Sequence, residues 1–161
     1  MATIDFLIIF FPAMAANAFP VILGKLPYLT KPINKKLFGE NKTWKGLILG
    51  ILMGGFSGYC IEILSEVLNY PIKMNLYLGL LLGSGALVGD LTKSYLKRRV
   101  GIKPGHDWFP FDQVDWIIGA CIFSYPLFSF NDFIILLFLA SVLHVITNRV
   151  AIILKLKKSV N

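Results

Sequence analysis

Five apolar stretches separated by short polar segments constrain this chain more than any other feature of its sequence. A helix needs about 20 apolar residues to cross the hydrocarbon core of a bilayer. The third stretch is apolar only to Gly89, but a helical pattern continues to Leu96. Charged residues make up 16% of the chain, whereas soluble domains carry about 25%. The sequence therefore predicts an all-α, polytopic membrane protein, a single integral membrane domain over residues 1–161, with five transmembrane helices at residues 4–23, 46–64, 75–96, 114–130 and 133–154.

Lysine and arginine are unevenly distributed among the predicted loops. Of the 16 such residues, 15 fall on one side of the membrane and only Lys73 falls on the other. An excess of lysine and arginine marks the cytosolic loops of membrane proteins. We therefore expect cytosolic loops at 24–45 and 97–113, an N-terminus outside, a cytosolic C-terminus and a multi-pass protein of the cell membrane. The net charge of +7 then indicates contact with anionic membrane lipids and not with nucleic acid.

Glycine recurs at every fourth position along the second and third predicted spans. The residues concerned are Gly46, Gly50, Gly54 and Gly58, then Gly79 and Gly83, and then Gly85 and Gly89. This spacing places glycines on one face of a helix, where two backbones can approach closely. We therefore predict close helix packing along these two spans, with a substrate groove beside the glycines as the alternative.

The first cytosolic loop ends in the sequence FGENKTWKG, where the second span begins. Lys42 and Lys45 are three residues apart, so on a helix they share one face beside Thr43. A helix N-terminus flanked by two ammonium groups and a hydroxyl suits a phosphate group. The same residues also fit a simple anchor at anionic headgroups, with Trp44 in the aromatic belt. The spacing alone leaves both interpretations open.

The third predicted span leads into a second polar segment, GALVGDLTKSYLKRRVGIKPGHDWFPFDQVDW. If the helix continues outward, Asp90, then Ser94 or Lys93, and then Lys97 lie along one stripe. Asp90 ends an otherwise uncharged run. A carboxylate is unfavourable against lipid, so we expect it to face protein, water or a bound cation.

Two further carboxylates, Asp112 and Asp115, are three residues apart at the start of the fourth span and share one face. Three carboxylates near a basic run suit a magnesium ion with a polyphosphate, because oxygen ligands hold the ion and cations neutralise phosphate. The basic residues are Lys97, Arg98, Arg99 and Lys103. A salt-bridged loop beside the membrane is the alternative. His106 has no second histidine or cysteine nearby, which argues against zinc and leaves phosphate binding, proton transfer or turn capping.

These residues together resemble the CDP-archaeol synthase family, membrane cytidylyltransferases related to the phosphatidate cytidylyltransferases. The resemblance rests on KTWKG followed by GDLTKSYLKRRVGIKPGH and DQVDW, and it covers most of the chain. It implies an enzyme, a Mg²⁺-dependent nucleotidyltransferase that transfers CMP from CTP to an unsaturated archaetidic acid, a geranylgeranyl ether lipid phosphate. The products are CDP-archaeol and pyrophosphate, and the implied active site lies on the cytosolic face.

The resemblance also implies roles for individual residues. Asp90, Asp112 and Lys97 would be catalytic, and Asp90 and Asp112 would bind the metal with Asp115 in support. The residues implied for substrate binding are Lys42, Thr43, Lys45, Ser94, Arg98, Arg99, Lys103 and His106. The turn after His106 lacks the glycine pair of the phosphatidate enzymes, and Gln113 replaces their arginine. The Asp-Gln-x-Asp form is closer to the archaeol branch, while the role of His106 stays open.

Three alternatives remain at this stage. The first is a phosphatidate cytidylyltransferase that acts on diacyl phosphatidic acid. The second is a small transporter or channel in which Asp90 and Asp115 line an ion path. The third is a non-catalytic membrane scaffold that uses its glycines as docking surfaces. The sequence also leaves open the preference for ether or acyl lipid and for CTP or dCTP, the number of metal ions and the oligomeric state.

Overall fold

The computed structural model describes residues 3–22, 30–103, 106, 108–125 and 130–153, which form helices joined by short non-helical segments. The helices are α1 (Thr3–Ile22), α2 (Lys35–Phe38), α3 (Trp44–Val67), α4 (Leu76–Arg99), α5 (Phe111–Phe123) and α6 (Phe130–Ile153). The described residues contain no β-strand. Pro32 and Thr43 form an isolated antiparallel β-bridge. The predicted all-α class is therefore confirmed.

The five long helices follow the predicted spans in order, but their bounds differ. Within the described residues, α3 is the one helix that is long and apolar enough to cross a membrane, whereas α1 and α6 contain the shorter apolar segments Asp5–Pro20 and Phe130–Leu139. Helix α5 has 13 residues and ends at Phe123, where the sequence predicted a span to residue 130. At 1.5 Å per residue, α5 is about 20 Å long, less than the roughly 30 Å thickness of a hydrocarbon core. The count of five spans stays a prediction.

Glycines bring α4 into backbone contact with the helices on both sides, as their spacing predicted. A Cβ atom on Gly54 of α3 would lie 2.9 Å from the carbonyl oxygen of Gly79 on α4. A Cβ atom on Gly85 would lie 2.5 Å from the carbonyl oxygen of Gly119 on α5. Side chains at these positions would force the helices apart. Helix α4 is therefore the central element of the bundle.

The apolar core lies below the charged end of α4. Its fully or nearly fully buried members include Phe6 and Phe10 of α1, Leu82 of α4, Ile117 of α5 and Leu136 of α6. Burial of side chains of this size is a main source of stability in any helical bundle. The core thus fixes α1, α4, α5 and α6 together and leaves the last turns of α4 to carry polar side chains.

Residues 30–43, the described part of the segment before α3, are folded and do not form an open loop. The Asn34 side chain accepts hydrogen bonds from the backbone N–H groups of Lys36 and Leu37, which caps α2. The backbone N–H of Ile33 donates to the carbonyl oxygen of Lys42 over 2.8 Å, and α2 packs against α4. These contacts return the chain to α4 just before α3 begins, so that Lys42 lies beside the polar end of α4.

Candidate active site

Asp90 is a buried carboxylate at the polar end of α4. The residue is 9% exposed. Its Oδ2 pairs with the Nζ of Lys42, and its Oδ1 lies 3.1 Å from the Nζ of Lys93 one turn further along α4. The buried carboxylate is therefore neutralised by two ammonium groups, as the sequence required of a charge at this depth. The pair with Lys42 also ties the folded segment before α3 to α4.

Lys93 lies at the centre of the charged residues, and its ammonium contacts three carboxylates. Its Nζ is 3.1 Å from Asp90 Oδ1, 3.0 Å from Asp112 Oδ1 and 2.9 Å from Asp115 Oδ2. The Oδ2 atom of Asp115 is buried. It forms an ion pair with this ammonium, but the geometry does not make a hydrogen bond. The three carboxylates predicted from two separate parts of the sequence therefore meet at one point, and the point is occupied by a lysine nitrogen.

Asp112 begins α5 and joins it to α4 through both of its oxygens. The Nζ of Lys97 donates to Oδ1 at 3.1 Å and to Oδ2 at 3.0 Å, and the backbone N–H of Trp108 also donates to Oδ2. Partial burial disfavours the charged carboxylate, but the Trp108 N–H and the ammonium groups of Lys93 and Lys97 outweigh it and lower the pKa of Asp112 below its ordinary value. Asp112 is thus a carboxylate anion near neutral pH.

Lys97 is buried and links α4 to the segment that precedes α5. It is 7% exposed, and besides Asp112 its ammonium donates to the backbone carbonyl oxygen of His106. His106 is itself exposed, so the contribution it makes to this contact is a main-chain oxygen. We refer to Asp90, Asp112, Asp115, Lys42, Lys93 and Lys97 as the charged cluster, which brings three carboxylates and three ammonium groups together.

The other predicted site residues lie near the charged cluster along the chain. Thr43 caps α3, since its hydroxyl accepts from the backbone N–H of Gly46 at 3.1 Å. Ser94 donates to the backbone carbonyl of Asp90 at 2.8 Å. Lys45 is buried in the first turn of α3, and Lys103 is exposed. Sequence spacing placed all of these close to the cluster in the chain, and the hydrogen-bond partners of Thr43 and Ser94 are local.

The two arginines of the basic run point to different partners. The guanidinium of Arg98 donates to the backbone carbonyl of Ile102, and its buried Nε has no hydrogen-bond partner in the described residues. The guanidinium of Arg99 donates to the hydroxyl of Tyr95 at 2.8 Å and lies 5.3 Å above the ring of that residue. Arg98 therefore retains a buried donor for an anion, whereas Arg99 forms a cation–π pair at the surface.

Lys93 is the residue of the charged cluster that the sequence did not assign to the site. The stripe through Asp90 and Lys97 contained Lys93 as an alternative to Ser94, but a helical stripe gives the direction of a side chain and not its depth. The i, i+3 spacing from Asp90, together with the Asp112 and Asp115 pair, is the signal that could have identified Lys93.

The donor set fits a hard divalent cation. Carboxylate oxygens are the ligands that Mg²⁺ prefers, and here one oxygen from each of Asp90, Asp112 and Asp115 lies within 3.1 Å of a single cationic nitrogen. The ammonium of Lys93 thus stands in for a cation at this point. In the described ranges, no group of three Asp, Glu, His or Cys side chains is arranged as the ligands of a metal ion. The Lys93 ammonium lies among the oxygens of Asp90, Asp112 and Asp115, so a metal bound between them would have to displace it.

A groove between α4 and α5 reaches the charged cluster from the side. Its volume is about 270 Å³, and Lys93 and Asp115 contribute to its wall. The rest of the lining is mostly apolar and includes Val88, Leu96, Trp108, Phe111, Val114, Ile118 and Ile122. A larger apolar cavity of about 630 Å³ lies between α1, α3 and α6 and contains none of the cluster residues. The groove between α4 and α5 therefore joins an apolar surface to the cluster.

Known proteins are similar to this chain in sequence and in fold. A family model described as CarS-like, CDP-archaeol synthase, matches residues 1–160. The CDP-archaeol synthase of Pyrococcus furiosus is 34% identical, with 91% of this chain and 90% of that protein covered. The CDP-archaeol synthase of Methanosarcina barkeri is 33% identical, with 91% and 97% covered.

A solved structure shares the helical arrangement. It belongs to an intramembrane enzyme for archaeal membrane lipids biosynthesis and superposes with a TM-score of 0.75 at 28% identity. The superposition covers 88% of this chain and 91% of the solved chain. The relatives and the solved structure each match this chain over most of its length.

Proposed function

The chain belongs to the CDP-archaeol synthase family, and we propose that its charged cluster is the place where this membrane enzyme transfers CMP from CTP to a geranylgeranyl ether lipid phosphate. One observation carries the assignment to this place. Three carboxylates and three ammonium groups from the segment before α3, from α4 and from α5 meet within hydrogen-bonding distance, beside a groove that is otherwise apolar. A phosphoryl site needs such charges, and a lipid substrate needs such a groove.

The reaction joins two anions. A phosphate oxygen of the lipid forms a bond to the α-phosphorus of CTP, and the bond from that phosphorus to the bridging oxygen of pyrophosphate breaks. The nucleophile is already an anion, so no side chain has to remove a proton from it. Catalysis of this kind depends on alignment and on neutralisation of phosphate charge. Both tasks suit buried lysines that are held by carboxylates.

The metal of the reaction would be held by Asp90 and Asp112, with Asp115 in support. When bound, Mg²⁺ would neutralise phosphate oxygens and help to fix the triphosphate. The carboxyl groups of Asp112 and Asp115 come from successive turns of one helix, and Asp90 comes from the helix beside it. The three ligands would therefore be oriented by the packing of α4 against α5.

The triphosphate would lie between the folded segment before α3 and the end of α4. Lys42 has a side chain that is 27% exposed, so its ammonium can meet solvent as well as Asp90. Lys97 lies on the other side of Lys93, and the buried Nε of Arg98 is a donor still to be used. We assign Lys42, Lys97 and Arg98 to the phosphates of CTP, with Thr43, Lys45, Ser94, Arg99, Lys103 and His106 as the surrounding residues.

The lipid chain would lie in the groove between α4 and α5. Ile118 and Ile122 line this groove and are exposed at the bundle surface, where acyl or isoprenoid chains of the bilayer would lie. Because Lys93 lies at the polar end of the same groove, the phosphate of a lipid in this position would be next to the cluster. The larger cavity between α1, α3 and α6 has no such charge within its lining.

The orientation follows from the charges. We propose five transmembrane helices, with the N-terminus outside, the C-terminus in the cytosol and the charged cluster at the cytosolic surface, where CTP is found. The segregation of lysine and arginine supports this orientation. If the cluster were at the outer surface, the enzyme would be separated from its nucleotide.

The direct test is the Asp90→Asn variant, assayed with purified protein, radiolabelled CTP, Mg²⁺ and a panel of ether and diacyl lipid phosphates. We expect loss of label transfer to lipid, by a factor of about 100 or more, because a missing interaction at a phosphoryl site has effects of this size. Glu40→Gln is the matched control, since Glu40 pairs with Lys35 at the exposed surface. Near-normal turnover by folded Asp90→Asn protein would contradict the assignment. Faster transfer to the diacyl lipid would make the protein a phosphatidate cytidylyltransferase.

A further inference from the structure

Lys93 occupies the position where the carboxylates of the charged cluster would hold a cation. Its ammonium has three N–H donors and three carboxylates around it, at 2.9–3.1 Å. In this arrangement the Lys93 ammonium is engaged by carboxylates and not by a phosphate. The carboxylate oxygens that it contacts are unable to approach a divalent ion, which binds oxygen at about 2.0–2.1 Å.

The two cations exclude each other. A divalent ion placed among the same oxygens would lie within a few ångströms of the Lys93 nitrogen, and like charges so close together repel strongly in a poorly solvated site. Lysine has a flexible four-carbon stem, so its ammonium can move away while its backbone stays in α4. The side chain already forms part of the wall of the groove between α4 and α5, which gives it space to move into.

We propose that Lys93 is an exchangeable counter-ion, which neutralises the carboxylates until a divalent cation binds and then moves to the groove, where its ammonium binds the lipid phosphate. This inference rests on the proposed function for the identity of the anion. It assigns two successive partners to one side chain, so that the metal and the lipid phosphate bind in a coupled manner. Metal binding releases the ammonium that the lipid needs.

The exchange limits the affinity of the free protein for metal. A divalent ion binds only to the fraction of molecules in which Lys93 has moved out, so the apparent dissociation constant is raised by that fraction. Replacement of Lys93 by an uncharged residue of similar length removes the competing cation. The metal affinity should then increase, although a charged residue next to the site has been lost.

The first measurement uses Mn²⁺ as the probe, with purified protein in detergent and without CTP or lipid. Free Mn²⁺ is followed by electron paramagnetic resonance for wild type, Lys93→Met and the control Lys73→Met, whose lysine is exposed before α4. If the inward position of Lys93 is populated about ten to one, Lys93→Met binds Mn²⁺ about tenfold more tightly than wild type, and the control is unchanged. Equal or weaker binding by Lys93→Met would overturn the exchange.

The second measurement compares the steady-state KM values of Lys93→Met and wild type for the lipid and for CTP. Loss of a charged hydrogen bond to the lipid phosphate should raise the KM for that lipid by about tenfold or more, while the KM for CTP changes little. A parallel rise in both KM values would show that Lys93 acts only through the general structure of the site, and would overturn its assignment to the lipid.

Folding is checked by size-exclusion chromatography with and without Mn²⁺. Lys93→Gln, which keeps a polar side chain without the charge, replaces the methionine variant in both measurements if the latter aggregates. Recovery of either variant only in the presence of Mn²⁺ would support the exchange, because the carboxylates would then lack their counter-ion. If the wild type forms no CDP-lipid, the proposed function fails, whereas the Mn²⁺ comparison still decides the position of Lys93.

Discussion

Helix α4 packs closely against α3 on one side and against α5 on the other. At both interfaces, glycines allow the backbones to come into contact. At the α3–α4 interface glycine meets glycine, with Gly54 and Gly58 of α3 against Gly79 and Gly83 of α4. At the α4–α5 interface Gly85 meets Gly119, but Gly89 meets the backbone of Asp115. One interface is formed from glycines alone at these contacts, and the other brings a glycine against a residue of the charged cluster.

This difference shows how a packing motif becomes part of a site. Gly89 precedes Asp90, and a Cβ atom at Gly89 would overlap the carbonyl oxygen of Asp115. The close approach of α4 and α5 therefore sets how far the carboxylates of Asp90 and Asp115 are from each other and from Lys93. The α3–α4 glycines are further from the cluster and determine mainly the distance between α3 and α4.

The largest effect on stability is expected where charge joins α4 to α5. Lys97→Met removes the ammonium that donates to both oxygens of Asp112 and leaves that carboxylate partly buried with fewer partners. Breaking one partner of a buried ion pair reduces the free energy of unfolding by about 3 kcal/mol or more, and Asp112 keeps Lys93 and the Trp108 N–H, so the lower end is expected. Unfolding of the purified protein by a denaturing detergent measures the change.

Lys35→Met is the matched control for the loss of a lysine. Lys35 pairs with Glu40 at 3.1 Å, but the two side chains are 65% and 69% exposed, so this change should have little effect. Equal loss of stability in both variants would mean that the α4–α5 interface does not depend on its charges.

Alanine at the glycines separates the two interfaces by activity. Gly89→Ala should push α5 from α4 beside the cluster and lower kcat by about 100-fold, since a displacement of about 1 Å in a site can have such an effect. Gly54→Ala should lower the stability by about 1–3 kcal/mol through overpacking and leave the activity per folded molecule nearly unchanged. Labelled CTP incorporation, normalised to the folded fraction, distinguishes the two variants.

Gly46→Ala completes this set, because a Cβ atom there would be 3.4 Å from Pro20, which is an ordinary contact. It should resemble wild type in both measurements. Equal loss of activity in Gly89→Ala and Gly54→Ala would show that the two interfaces contribute to the site in the same way.

The smallest effect is the response to acid. The pKa of Asp112 is held below its ordinary value, so its carboxylate contributes stability that is fully present above the ordinary carboxyl range, about pH 4, and is lost as the pH falls through the lowered pKa. Asp112→Asn should therefore be less stable than wild type at pH 7, and the difference should shrink below pH 4. Thermal unfolding from pH 7 to pH 3 measures it. A difference that is constant with pH would contradict the role of the charge.

The order and type of the helices could be predicted because apolar length and glycine spacing are local features of the sequence. The folded segment before α3 could not, since α2 has four residues and depends on the Asn34 cap and on packing against α4. The early end of α5 was also missed. Its apolar pattern continues past Phe123 and favoured a longer span, although Pro126 in the sequence is a stop signal shortly after the turn at Ser124, whose hydroxyl donates to the carbonyl of Ala120.

The carboxylates of the candidate site could be predicted, because a charged side chain is energetically unfavourable next to lipid or at the start of a span. Their meeting around Lys93 could not, because it depends on the distance between α4 and α5. The basic run illustrates the same limit. Lys97, Arg98 and Arg99 are adjacent in sequence, yet successive residues on a helix point about 100° apart, so that Lys97 enters the cluster and Arg99 lies on Tyr95.

The position of the groove between α4 and α5 bears on how the concentration of the lipid substrate should be expressed, per volume of sample or per area of membrane. If the lipid enters this groove as proposed, it would not have to leave the membrane, and its supply would depend on the number of substrate molecules per unit area of the leaflet. Dilution of the substrate with inert lipid should then slow the reaction even when the amount per volume of sample is constant. The nucleotide would arrive by diffusion in three dimensions and the lipid by diffusion in two, and the two would meet at the proposed site in the charged cluster.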